Sequence, residues 1–569
     1  MAFRKRLSHQ AGRIAAVVGI AVILTAVTAT FSLKLAEQVG RLSVPPLYDD
    51  VVYFVSAVQW LNEAPSRGIA ENAYGLLRQH APFSTLTAAI GFSLFPDGHL
   101  GPYAINAVII LAFLLGLAAL LWRRSLVDIS TCMVGAACVP VFWQTMTEAR
   151  PDLPWGLALG LAMGAVLHRP LLQRSRWSIF GVGVVCGLAS TIKPTALPAS
   201  FACIGLAAAV QLACECLDSD IRTFRAAARR AALPALLFAA GLLAGALPIV
   251  GVELVETIRY ILNVMIRDRD LWVINESFRT SLMHYAIGAE GRVALNYWLW
   301  IGLALATIRI CFAVLVNRRD VGAAATVLAA GFIAYAIPTL ANVKTYFFGA
   351  MFYGVFIMTM LLNFGAVVAG FDAVISRWTR KPALQSRISW GLHLVPLAAV
   401  LSLFVANCLP GGLTLPTSLA PGQIQDIRAA TAKVWSLLEQ KSLLHGTKEA
   451  SGQPGKVPVI GFSSPYPVTP TTIQLYAVQA HKRVDVRGVF FDRTLDVTEK
   501  ALLASDVAIV TSSMPHNLPG PPMGDELIGR MDANSGMCLV DSLPLLTVRV
   551  IRVYRRGDPG CDSSAPDSR

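Results

Sequence analysis

The chain has 569 residues, 55% of them hydrophobic, a mean hydropathy of +0.56 and a formal net charge of +13. That is more apolar material than a soluble core of this size uses, so a soluble protein is excluded and a polytopic membrane protein is expected. The basic residues fall in short clusters between apolar runs, where the positive-inside effect accounts for them, and a nucleic-acid partner is excluded.

Arg4, Lys5, Arg6 and Arg13 precede a long apolar run ending near Leu33, which reads as an uncleaved anchor with a cytoplasmic N-terminus. Beyond it comes Leu47-Tyr-Asp49-Asp50-Val-Val-Tyr53, two adjacent carboxylates at the membrane surface. Val51, Phe54, Val55, Val58 and Leu61 then recur at helical spacing with Tyr53 and Trp60 interleaved, which predicts an amphipathic helix along the interface. Asp49 or Asp50 is either that helix's cap or a chemical group.

Further spans are expected at about 101–122, 125–143, 153–168, 177–192, 195–216, 233–255, 293–316, 321–341, 345–369 and 391–410, making about eleven with the first. Alternate connections hold the cations: Arg123 and Arg124; Arg169, Arg174 and Arg176; Arg222, Arg225, Arg229 and Arg230; Arg318 and Arg319; Arg377, Arg380, Lys381 and Arg387. These belong on the cytoplasmic side, which puts the carboxylate loop, the 256–292 loop and the tail after Leu409 together on the outer face. The span interiors are almost free of ionisable groups, and no inverted repeat is evident, which argues against an ion-coupled transporter. Seven cysteines lie in or at the ends of spans and Cys408 closes the last; none has metal-ligand spacing. Cys538 and Cys561, in the tail, could pair in an oxidising compartment or stay as free thiols.

Two domains are expected, 1–410 in the membrane and 411–569 outside it. In the tail, a helical stretch over Ile424–Gln440 is followed by strand-like runs at Val457–Phe462, Arg483–Phe491, Asp506–Thr511, Met537–Asp541 and Leu546–Tyr554, a small α/β domain without a phosphate-loop or dinucleotide glycine pattern. It either packs over the membrane domain or contributes acceptor specificity.

The outer connections carry acids and cations together: Arg78-Gln-His80-Ala-Pro82, Thr147-Glu148-Ala-Arg150-Pro-Asp152, Thr191-Ile-Lys193-Pro194 and Asn342-Val-Lys344-Thr-Tyr346. Singly, Asp152 reads as a cap, Lys193 and Lys344 as snorkelling anchors and His80 as a turn residue. Together they suit a reaction that deprotonates a hydroxyl and displaces a lipid phosphate, which needs a general base and cations for the leaving group.

The ordered series Tyr48-Asp49-Asp50-Val-Val-Tyr53, His80-Ala-Pro82-Phe, Arg150-Pro-Asp152, Gly187-Leu-Ala-Ser-Thr-Ile-Lys193-Pro and Lys344-Thr-Tyr346-Phe resembles the lipid-linked sugar transferases of the GT-C fold, the group that holds protein O-mannosyltransferases and the lipid A aminoarabinose transferase. It departs from their pattern at Asp50, where they carry Glu, and at Ala81, where they carry Pro. The resemblance covers most of residues 1–370 and implies a mainly α membrane fold, a polyprenyl-phosphate-linked sugar donor, an extracytoplasmic acceptor and inversion by direct displacement. On that reading Asp49 is the general base, and Asp50 and Asp152 orient acceptor or sugar. His80, Lys193, Lys344 and Arg279 hold the phosphate, with Arg78, Glu148 and Tyr346 as further substrate-binding residues. A divalent metal ion at the acidic cluster is possible, because members of the fold differ in metal use. An envelope polysaccharide polymerase or ligase, expected to rely on outer arginines, and a lipid or solute transporter are the rival readings.

Overall fold

The computed structural model describes residues 2–47, 49–79, 81–96, 98–217, 223–263, 266, 277–287, 293, 295–316, 320–340, 346–378, 382–413, 419–440, 443–444, 457–489, 494–512 and 524–557. The chain divides into two compact units. The first gathers residues 1–33, 69–87 and 103–416, and the second residues 34–68, 88–102 and 417–569.

Among the described residues the regular structure of the first unit is all helix. Among the described residues, eight helices of the chain are long and apolar enough to cross a bilayer: Gln10–Gln38, Leu100–Leu120, Pro194–Leu217, Arg225–Leu262, Trp298–Leu315, Val321–Thr339, Gly354–Trp378 and Ile388–Cys408. Eight is the number that length and composition support; the expected count of about eleven drew also on shorter stretches. Asp152–Leu167 and Arg176–Thr191 each have 16 residues. The expected span 125–143 divides into helices Leu126–Ala137 and Pro140–Thr145, because Pro140 cannot supply the N–H that would continue the first. The carbonyls freed at this break find side chains instead: the Trp143 indole donates to Ala137 O at 3.0 Å and the Asn407 amide to Cys138 O at 2.8 Å.

Several helices use a hydroxyl immediately before their first residue as N-cap. Ser125 Oγ accepts from Asp128 N at 3.1 Å, Ser175 Oγ from Ser178 N at 3.3 Å and Thr223 Oγ1 from Ala226 N at 3.4 Å. Within the bundle two crossings are made backbone to backbone. Gly183 and Gly187, four residues apart on Arg176–Thr191, face Gly241 and Gly245 on Phe224–Val250, and a Cβ at Gly187 would collide with the Leu242 carbonyl oxygen. Gly156 and Gly160 meet Gly354 in the same way. Small residues at fourfold spacing let helices approach where lipid offers no hydrophobic drive for association.

The second unit is an α/β domain. Strands β1 (Val459–Phe462), β2 (Asp485–Gly488), β3 (Val507–Thr511), β4 (Met537–Pro544) and β5 (Val550–Arg556) form one sheet in the order β2-β1-β3-β5-β4. β2, β1 and β3 are parallel, and β5 and β4 are antiparallel additions. All five residues of β3 are buried, as its uninterrupted apolar run requires of a central strand. Val507 and Ile509 join a core with Val434, Leu438 and Ile473, while Ala508 and Val510 face Leu502, Leu527 and Met531 on the other side. Residues from the start of the chain complete this unit. Helix Asp50–Glu63 buries Val51, Phe54, Ala57 and Val58, with Phe54 edge-on to Phe92 at 5.5 Å. Asn62 donates to Val478 O at 3.1 Å, at the end of helix Pro470–Gln479. Of the stripe expected to face the membrane interface, Val51, Phe54 and Val58 are thus buried in protein, and Val55 and Leu61 are half-buried.

Candidate active site

In the second unit the chain leaves its first helix through Gly40, whose φ of +86° only glycine adopts without strain and which makes the left-handed C′ turn of a Schellman ending: Arg41 N donates to Ala36 O at 2.8 Å. The turn brings Arg41 back toward Asp50. The two side chains, 7% and 1% exposed, pair at 3.4 Å. Asp50 is the first residue of helix Asp50–Glu63, where the helix dipole also favours a carboxylate. Asp49 stands at the N-cap position with helical φ and ψ of −70° and −21°, and its side chain makes no capping hydrogen bond. The capping role considered for it in the sequence is therefore not the one it performs.

The first unit holds a second set. Asn106 donates its amide to the Glu148 carbonyl at 2.6 Å and also to Thr145 O, pinning the connection that carries Glu148, Arg150 and Asp152. All three are buried. Asp152, in the first turn of Asp152–Leu167, forms a close ion pair with Lys193, which follows the helix Arg176–Thr191. The Lys193 ammonium also lies 5.9 Å from the centre of the Trp155 ring, whose indole N–H donates to Ser200 Oγ at 2.9 Å. Lys193 is thus a counter-ion held between an acid and an aromatic face, and not a lysine reaching for head groups.

Arg78 is engaged by Glu253 at 2.8 Å, and this hydrogen bond, then the charge behind it, raises the guanidinium pKa above its ordinary value. Both line a cavity of about 250 Å³ with Pro194, Glu256 and Tyr260. The first loop, the residue after Lys193 and the segment that follows the Phe224–Val250 helix therefore meet around one space. Arg279 is exposed on helix Phe278–Ile287 and, among the described residues, makes no ion pair with the other candidates. His80 and Lys344 lie outside the described residues, as does the side chain of Tyr346, which begins helix Tyr346–Trp378. Among the described residues no group of three or more His, Cys, Asp or Glu side chains could hold a metal.

The residues that sequence reasoning missed are Arg41, Asn106, Glu253 and Glu256. Arg41 and Glu253 had a signal, a lone charge beside a span end, but nothing in one dimension tells which charge it meets.

No family model matches the chain and no curated protein matches its sequence. Among solved structures it is similar to ArnT from Cupriavidus metallidurans bound to undecaprenyl phosphate, with a TM-score of 0.50 at 12% identity over 95% of this chain and 99% of that one. The apo form of the same protein gives 0.47 at 12% identity, over 92% and 97% of the two chains. The archaeal oligosaccharyltransferase AglB from Archaeoglobus fulgidus, in complex with an inhibitory peptide and a dolichol-phosphate, gives 0.45 at 13% identity over 86% of this chain and 69% of that one. The likeness to undecaprenyl-phosphate-bound ArnT runs the length of both chains and establishes the fold, which is the GT-C fold that the motif series led us to expect.

Proposed function

We propose that this GT-C-fold chain is an inverting glycosyltransferase of the inner membrane that moves a sugar from a polyprenyl-phosphate donor to an extracytoplasmic acceptor. The observation that carries the reading is the fold itself, shared from end to end with a protein solved with undecaprenyl phosphate bound. The ordered motifs support it, as does the acidic pair at the start of helix Asp50–Glu63.

In the reaction the acceptor oxygen attacks the anomeric carbon as the bond from that carbon to the phosphate oxygen breaks, and the polyprenyl phosphate departs with the bonding pair. Asp49 takes the acceptor proton. Asp50, buried and charge-paired with Arg41, keeps the helix N-terminus in place and orients the acceptor. Asp152 orients the sugar, and Lys193, with His80, Lys344 and Arg279, neutralises the leaving phosphate. Arg78, Glu148 and Tyr346 complete the substrate contacts. The tail faces the oxidising side of the membrane, a placement supported by the disulfide at Cys538 in a chain whose other described cysteines are free.

Two measurements test this. Mass spectrometry of envelope glycans and lipids from cells with and without the gene should show one sugar increment lost; identical spectra refute the function. With a responsive donor in hand, Asp49→Asn should bind donor normally and lose turnover by at least about 100-fold, the usual minimum for a general base. Near-normal turnover in that variant removes Asp49 from the chemistry.

A further inference from the structure

The larger cavity of the first unit, about 820 Å³, lies away from every residue assigned above. Its walls come from connections expected on the cytoplasmic side and from the helices beside them: Arg123 and Arg124, His168 and Gln173, Arg230 on Phe224–Val250, and Arg309 on Trp298–Leu315 with Asp320. Four arginines and two acids face it. The acids are already occupied. Asp320 takes Arg309 at 3.3 Å, and the Glu215 carboxylate accepts the backbone N–H groups of Leu171 and Leu172, each at 2.6 Å. Arg123, Arg124 and Arg230 have no ion pair among the described residues.

The positive-inside effect explains why each connection carries arginines, but not why guanidiniums from two of them share one concave space whose two acids are bound elsewhere. Two further observations point to an anionic occupant. Gly365 leaves room for the Arg124 guanidinium to lie against the backbone of helix Tyr346–Trp378; a Cβ there would stand 3.3 Å from Arg124 Nε. His168, on the rim, has its pKa lowered first by burial and then by Arg169, Arg174, Arg123 and Arg124, so the rim is a region of positive potential. The remainder of the lining is largely aliphatic, including Leu120, Leu121 and Leu362, a surface suited to hydrocarbon.

We propose that this cavity binds a phosphate-bearing anion, with Arg123, Arg124 and Arg230 as its cations, and that it is separate from the site of sugar transfer. Guanidiniums hold phosphate oxygens through paired N–H groups, and basic pockets between membrane helices take lipid head groups in this manner. The phosphate comes either from an anionic phospholipid or from a free phosphate or pyrophosphate.

The test uses the purified full chain in detergent, with phosphatidylglycerol or inorganic pyrophosphate titrated in and binding read by native mass spectrometry and by the shift in thermal midpoint. Arg123→Gln/Arg124→Gln/Arg230→Gln should weaken binding by at least about tenfold, the loss of about one charge-assisted contact. Arg176→Gln/Arg225→Gln/Arg229→Gln removes the same charge from residues that do not line the cavity and should bind as the wild type does. The single variant Arg230→Gln, at an exposed position, gives the same reading should the triple variant fold poorly. Tight phosphatidylglycerol binding that pyrophosphate does not displace identifies a lipid head group; displacement by pyrophosphate identifies a soluble phosphate. Equal binding to the wild type and the cavity variants, or equal loss in the control triple variant, overturns the proposal.

Discussion

Lys193→Met separates two roles that the ion pair with Asp152 permits. The side chains of Lys193 and Asp152 are 22% and 7% exposed, so removing the cation leaves a nearly buried carboxylate without its counter-charge. Breaking a buried pair from one side costs about 3 to 5 kcal/mol, and water reaching the partly exposed lysine end places this case near about 3 kcal/mol. The double variant Asp152→Asn/Lys193→Met removes the stranded charge and should cost only about 1 kcal/mol, so that with any cost of Asp152→Asn alone added the coupling energy in a double-mutant cycle is at least about 2 kcal/mol. Tryptophan-fluorescence unfolding in detergent measures that part. If Lys193 also neutralises the donor phosphate, its loss removes a charge-assisted contact of about 1.5 to 3 kcal/mol, or about 10- to 150-fold in donor dissociation constant. Unchanged donor affinity in Lys193→Met would refute the phosphate role and leave the lysine a structural counter-ion.

Gly187→Leu should destabilise the first unit by at least about 1 to 3 kcal/mol, because its side chain meets the Leu242 carbonyl, whereas Gly181→Leu, with nothing within 4 Å, should not; equal thermal midpoints would mean that the helices do not cross so closely. Reporter fusions after Asp320 and after Gly422 should report opposite sides of the membrane, and a common side would dissolve the grouping of outer loops. The pKa of His99 is held below its ordinary 6.5 by burial, against a hydrogen bond to the Leu42 carbonyl. The unfolded chain then takes up a proton that the folded chain resists, so this contribution is intact above pH 6.5 and is lost as pH falls through the folded value. His99→Gln should flatten that fall in thermal midpoint below about pH 6.5, and parallel curves would show that His99 is not the group responsible.

Much of the helical framework could be read in one dimension because a membrane span is a local property: twenty apolar residues declare themselves. All five strands overlap runs that were legible for a similar reason, short β-prone stretches between turn residues. Pairings were not. Arg78 and Glu253 stand 175 positions apart, and Arg41 meets Asp50 only through a left-handed glycine turn. The expected 125–143 span breaks at Pro140, and one of the side chains that satisfies its freed carbonyls, Asn407, is 269 positions away. The apolar stripe after Asp50 was visible as a stripe, but periodicity says that a face is buried without saying what buries it.

That stripe has a consequence for biogenesis. Helix Asp50–Glu63 is made early, whereas helix Pro470–Gln479, which helps to cover it, is made roughly 400 residues later. At synthesis rates of about 5 to 20 residues per second the delay is roughly 20 to 80 seconds. Through that interval Val51, Phe54 and Val58 lack part of their native cover, and the carboxylates beside them stand on a helix not yet docked. The unit with the acidic pair can close only after translation has nearly finished, which makes maturation of this end of the protein a late event and a natural point for quality control to act on truncated chains.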